Sequence, residues 1–177
     1  MSKAVLISIR PKWCEKIING QKTIEVRKTR PKMNPPFKCY IYRSVQGGVI
    51  GEFVCDHIFE RIVRVGASCE APKYCICDWN MDCTPLDTLL ADACLTKDEL
   101  EKYLDVGVGY GWHISNLKIY DTPKELIEFH TWKKCKSCNK SGYESTACIY
   151  DENCIIPAAI TKAPQSWCYV EEEIWND

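Results

Sequence analysis

From Ala4 to Arg10, Val5, Ile7 and Ile9 alternate with Leu6, Ser8 and Arg10, the period of two expected of a strand with one wetter face. The period then changes. Pro11 suits a first helical turn, where its missing N–H would be unpaired anyway. Trp13, Cys14, Ile17 and Ile18 fall on one helical face, and Gly20 supplies the left-handed residue that ends the helix. From Lys22 the period returns to two, with Ile24 and Val26 on one side and Thr23, Glu25 and Arg27 on the other. Pro31, Pro35 and Pro36 make residues 31–37 an extended connection. Lys38 to Arg43 reads as a third strand. Gln46-Gly47-Gly48 turns it into a fourth, Val49 to about Val54, which continues with a bend through Ile58 to Val65.

Further along, Thr84-Pro85 opens a helix through Leu89 and Leu90. Thr96-Lys97-Asp98-Glu99 is a capping box that launches another through Leu104, which Gly107 can end. Gly109 to Tyr120 is a glycine-rich entry into a strand. A second capping box, Thr122-Pro123-Lys124-Glu125, predicts a short helix through Phe129, and Ser166 to Glu173 predicts the last strand. Consecutive strands joined by a tight turn suit a mostly antiparallel barrel with helices outside it. The fold class expected is therefore α+β, one domain over residues 1–177. Two Cys-rich stretches without clear periodicity, about 66–83 and 130–154, are expected as insertions.

Composition sharpens this in three ways. Apolar content of 46% supports a core, and 11% aromatic residues argue against disorder. The net charge of −1 conceals a division: residues 1–43 carry eleven Lys/Arg against two acids, a net of +9, leaving −10 for the rest. That division suggests a basic face built from the N-terminal third, or basic and acidic segments that neutralise each other. No signal peptide and no apolar run of membrane-spanning length is evident, so a cytoplasmic protein with no membrane partner is expected. Thirteen cysteines, an odd number spread through strands, helices and loops, then read as reduced thiols rather than a disulfide framework.

The chemistry-bearing groups follow. Glu25 stands among Lys22, Arg27, Lys28 and Arg30, an acid between cations as a phosphate-facing or acid/base site requires. A cross-strand set of solvated salt bridges would look alike. In an ideal strand Lys22 and Glu25 point to opposite faces, so they share a site only if the chain turns or bulges after Gly20. Tyr110, Trp112, His113 and Trp167 offer aromatic faces on which a base could stack, or core packing. Gln165 and Ser166 could read a polar edge, or cap the final strand. Cys135, Cys138, Cys148 and Cys154 are a candidate thiolate set for a structural zinc, and no other cofactor is expected. Cys69, Cys75, Cys77 and Cys83 lack any C-x2-C pair and form a weaker set.

The run Gly20-x-Lys22-x-x-Glu25-x-Arg27, after a short helix with an apolar stripe, resembles the signature of the ASCH domain. Ile7-Ser8-Ile9-Arg10-Pro11-Lys12-Trp13, Gly109-Tyr110-Gly111-Trp112-His113-Ile114 and Pro164-Gln165-Ser166-Trp167-Cys168-Tyr169-Val170 fit its bacterial and phage members. The resemblance implies a PUA-like β-barrel and binding of RNA or a modified nucleotide in a cleft beside the motif strand. Lys12, Lys22, Glu25, Arg27, Lys28, Arg30, Tyr110, Trp112, His113, Ser115, Gln165, Ser166 and Trp167 are then the ligand-binding candidates. One alternative is a hydrolase, either a ribonuclease or a nucleoside amidohydrolase, with Lys22 and Glu25 as its catalytic residues. Similar amidohydrolases acting on N4-acetylcytidine use a Lys, a Thr and a Glu. Here Lys22 fits, but Glu25 occupies the threonine position and Thr23 lies two residues early, so that activity is not carried over. A second alternative is a phage or mobile-element module that binds a protein through its acidic part.

Overall fold

The computed structural model describes residues 3–64, 74–77, 83–84, 86–105, 108–134 and 155–171. The four cysteines of the zinc set and Cys69 lie outside them, and of Cys75, Cys77 and Cys83 only the backbone is described.

Strand β1 (Lys3–Ile9) is the hub. It pairs in parallel with β3 (Phe37–Arg43) and antiparallel with β12 (Trp167–Glu171), which places both ends of the described chain in one sheet. β4 (Val49–Cys55) and β9 (Ser115–Lys124) extend that sheet to the order β12-β1-β3-β4-β9. A second sheet has the order β2-β8-β5-β6-β7, from β2 (Ile24–Arg27), β8 (Gly109–His113), β5 (Ile58–Arg64), β6 (Tyr74–Cys77) and β7 (Cys83–Thr84). β10 (His130–Lys134) and β11 (Ile155–Ala159) form a separate hairpin. Helix α1 (Pro11–Ile18) follows β1, while α2 (Leu86–Ala93) and α3 (Lys97–Leu104) lie between β7 and β8 in the chain.

The chain passes between sheets at two adjoining corners. β4 gives way to β5 at Asp56-His57, and β8 to β9 at Ile114. His113 N–H donates to the His57 carbonyl (3.0 Å) and Ile114 N–H to that of Thr23 (2.8 Å), locking the corners together. Between the sheets lies one apolar core: Val5, Ile7 and Ile9 from β1, Cys39 and Ile41 from β3, Phe53 from β4, Ile58 from β5, and Trp112 from β8. A second cluster joins Ile24 and Val26 of β2 to Leu86, Leu89, Leu100 and Leu104 of the helices. The Thr96–Glu99 capping box that starts α3 is present in both directions.

Four expectations are corrected. The ladder does not close into a barrel among the described residues; two five-stranded sheets share the core, and β2 and β12 remain edges. β1 has no wet face, because Ala4 and Leu6 pack with Tyr40, Phe129, Ile160 and Val170 in a third cluster. Ile18 is exposed rather than on the helix's buried face. The expected helix from Thr122 is absent: Thr122 and Pro123 continue β9, and a single 3-10 turn, Leu126–Glu128, follows. That turn carries its capping box at Glu125 and Glu128, three residues later than the sequence pattern placed it.

Gly51 sits opposite Ile119 where β4 and β9 shift register. A Cβ there would run into the Lys118 carbonyl and come within 3.1 Å of the Ile119 Cα. Gly51→Ala is expected to lower the unfolding free energy by about 1–3 kcal/mol, measured by urea denaturation, because backbone must give way on both strands.

Burial of three core thiols makes the stability of the fold sensitive to alkali. It raises Cys14 to about 11 and Cys55 to about 12, and lifts Cys39 well above the ordinary value. The folded chain then holds protons that the unfolded chain releases, so stability falls as pH rises past the ordinary thiol value of 9.0. The urea midpoint is expected to be lower at pH 10 than at pH 8, and native Cys14, Cys39 and Cys55 should resist alkylation until the protein unfolds.

Candidate ligand-binding cavity

The motif residues meet because the chain turns before it becomes a strand. Gly20 takes φ +71°, and the N–H groups of Gln21 and Lys22 both donate to the Lys16 carbonyl (2.9 and 3.0 Å). Lys22 therefore enters from this turn, not from β2, and its ammonium reaches Glu25 Oε2 at 3.2 Å. Arg27, two residues on along the same strand face, reaches Glu25 Oε1 through Nη2 at 3.0 Å. The condition set by strand geometry, that Lys22 and Glu25 can share a site only past a turn or bulge, is met. These three are the buried charged residues of the described chain.

Each cation has further partners. Lys22 Nζ donates to the Ala93 carbonyl (2.7 Å) at the end of α2 and lies 5.1 Å from the Trp13 ring centre. Arg27 Nη2 donates to the Ser8 carbonyl on β1 (2.6 Å), while Nη1 lies 3.4 Å from Ser166 Oγ just before β12. Ser8 in turn sends its N–H to the Ser166 carbonyl (2.9 Å) and its hydroxyl to that of Pro164 (2.6 Å). Arg27 thus spans the gap between the edge of the second sheet and the first. Its Nε is buried without a hydrogen-bond partner among the described residues.

Over this gap opens a cavity of about 540 Å³, within the range of small-ligand sites. Lys22, Glu25 and Arg27 line it with Ser8 and Arg10; Trp13, Tyr42 and Tyr103 add aromatic surface; Ser44, Val45 and Leu95 come from loops; and 163–166 supply Ala-Pro-Gln-Ser. Among these described lining residues are three cations and one carboxylate. Burial raises the Tyr103 phenol above its ordinary value, Arg27 opposes that and Glu25 adds to it, so its hydroxyl stands in the field of the pair.

Of the residues expected from sequence, Lys22, Glu25, Arg27, Gln165 and Ser166 converge on this cavity. Lys12 is exposed, pairs with Glu99 (3.3 Å) and sits over the Trp13 ring (4.4 Å). Lys28 is exposed beside Tyr103, 5.4 Å from the ring centre, and Arg30 is half-buried. Trp112 is fully buried, edge-on to Phe37 and tilted against Trp167, so it cannot stack on a ligand. Tyr110 packs against the same core. Trp167 packs there too and donates its Nε1–H to Thr29 Oγ1 (3.0 Å). His113 is at the sheet-crossing corner, where Nδ1 pairs with Asp56 Oδ1 at 2.7 Å. That bond holds the Asp56 carboxyl below its ordinary value, and Ser115, bonded to the Val54 carbonyl, helps. Tyr110, Trp112, His113, Ser115 and Trp167 are not among the lining residues.

Sequence reasoning missed Ser8, Arg10, Trp13, Tyr42 and Tyr103. Ser8, Arg10 and Trp13 stood inside the quoted N-terminal segment. Tyr103 had no local signal, since α3 reaches the site only through tertiary packing on β2.

Glu25→Gln would leave two buried cations without their counter-charge. It is expected to cost about 3 kcal/mol of unfolding free energy. Lys12→Met removes an exposed ion pair and should cost no more than about 1 kcal/mol. Denaturant titration of both variants checks the contrast.

The ASCH domain family model matches residues 7–103. Similar solved structures include the crystal structure of ASCH from Zymomonas mobilis, with TM-score 0.56 and 15% identity over 96% of this chain and 88% of that one. A tyrosine-to-phenylalanine variant of that protein gives TM-score 0.56 and 15% identity over 97% and 92%. A serine-to-alanine variant gives 0.56 and 15% over 96% and 89%. At that identity the likeness concerns the fold. No curated protein matches the chain. The helix-turn-strand motif, the cavity built on it and the family match covering more than half of the sequence lead to one conclusion: the chain belongs to the ASCH domain family.

Proposed function

We propose that the cavity binds RNA or a modified nucleotide, holding an anionic group on its cationic wall and a base against its aromatic one. The observation that carries this reading is the combination of three cations to one carboxylate with Trp13, Tyr42 and Tyr103 around about 540 Å³. An anion gains from desolvated cations whose positions are already fixed, and flat rings gain from stacking. The family is generally linked to RNA binding, which supports the same reading. Both Glu25 oxygens are held by cations, so its part in this reading is to orient Lys22 and Arg27. A hydrolase that used Glu25 as its acid or base would need that carboxylate released from a cation.

The test is fluorescence anisotropy of a mixed-sequence single-stranded RNA across a salt series. Affinity should fall as salt rises, because each neutralised phosphate releases counterions. Arg10→Ala, at an exposed lining position, should weaken binding to all sequences alike and reduce the salt slope by about 0.7 if it meets one phosphate. No binding at low salt to RNA, DNA or free nucleosides would overturn the reading and favour a protein partner.

A further inference from the structure

Val45 combines two features that cost the fold and return nothing to it. Its backbone takes φ +73°, a region that a β-branched residue occupies only as an outlier. Gln46 N–H donates to the Ser44 carbonyl at 2.9 Å, closing around Val45 a γ-turn of the rare positive-φ kind. Its side chain is 95% exposed, the most exposed large apolar group of the described chain. The same loop places glycine at its other positive-φ positions, Gly47 and Gly48. At Val45, where glycine would relieve the strain, the chain carries an isopropyl group instead.

The backbone that carries that side chain is tied down on both sides. Ser44 anchors the loop to the end of β1, with both its N–H (2.8 Å) and its hydroxyl (3.1 Å) on the Ile9 carbonyl. Arg43 N–H donates to Gly48 and Gly47 N–H to Arg43, each at 3.0 Å, which closes the turn behind it. Val45 also lines the cavity, as do Leu95 and Trp13. Strain maintained by surrounding structure at a ligand cavity marks a functional position, and a pre-fixed apolar contact spares the ordering cost of binding.

We propose that Val45 is a specificity-determining contact of this cavity, an apolar rim group that packs on the base of a bound nucleotide whose anionic group lies on the Lys22/Arg27 wall. This rests on the nucleotide-binding reading above and adds to it the part of the ligand that the loop recognises. Phosphate alone would gain nothing from an isopropyl group. A flat heterocycle gains apolar burial.

The experiment compares wild type with Val45→Gly, Val45→Asn and Val45→Leu, using a mixed-sequence single-stranded RNA and an abasic strand of equal length. Glycine and asparagine both tolerate positive φ, so neither variant should lower the thermal midpoint. Both should weaken binding to the base-bearing strand about tenfold, as expected for one lost apolar contact, and leave the abasic strand unaffected. Val45→Leu should retain wild-type affinity. Asparagine separates lost apolar contact from the added flexibility of glycine. Wild-type affinity in Val45→Asn, or equal losses on both strands, would overturn the role of Val45 while RNA binding by the wild type kept the broader reading. A wild type that binds neither strand would overturn both.

Discussion

The Arg27 guanidinium is the side-chain link between the second sheet and the first, beside the cavity. β2 ends the second sheet and β1 lies one strand in from the edge of the first, and no backbone pairing joins them. Arg27 donates across that gap to the Ser8 carbonyl and lies against Ser166, while Ser8 N–H donates to the Ser166 carbonyl. A guanidinium can do this because its planar fork offers several donors in fixed directions. A side chain leaves room beside it, and the cavity opens there.

Keeping that charge buried has consequences. A cation removed from water is costly unless a counter-charge and hydrogen bonds replace its hydration. Glu25 supplies the charge to Arg27 and Lys22 together, and the Ala93 and Ser8 carbonyls supply the bonds. An apolar trio of similar volume would avoid the desolvation altogether, so the triad is poorly explained as a source of stability. It is well explained as a way of holding positive charge at a cavity wall with little freedom to reorganise. Lys22 ties the wall to the end of α2, and Arg27 ties it to β1, so the site depends on the relative placement of both sheets and the helices.

The remainder of the fold secures that placement. Trp112 fills the space between the sheets, with Phe37 on one side and Trp167 on another. Ile24 and Val26 fasten the opposite face of β2 to α2 and α3. With both faces covered, β2 has little freedom to rotate, and Glu25 and Arg27 stay directed inward. The strained Val45 loop, fixed to the end of the hub strand by Ser44, belongs to the same economy of rigid parts around one opening.

Features governed by near neighbours were legible from the residues alone. The Pro11 start and Gly20 stop of α1, the Thr96 capping box, the glycine turn at Gly47-Gly48 and the shared face of Glu25 and Arg27 each depend on contacts within a few residues. Periodicity and capping chemistry report such contacts directly. The Thr122 box misled because pairing of β9 with β4 outweighed a local helix signal. Trp112, one of four aromatic side chains that could have been either a stacking face or core, is core, and its neighbours Phe37 and Trp167 are distant in sequence. An amino acid's identity cannot say which side of a sheet will be covered. Ser166 and Arg27 are 139 residues apart, and Lys22 and Ala93 are 71 apart. The sequence determined which charges and rings the chain carries and how each is presented on its own helix or strand. Only the tertiary structure decided which of them face one another across the unclosed edge, because that depends on how two sheets and two helices pack around β2.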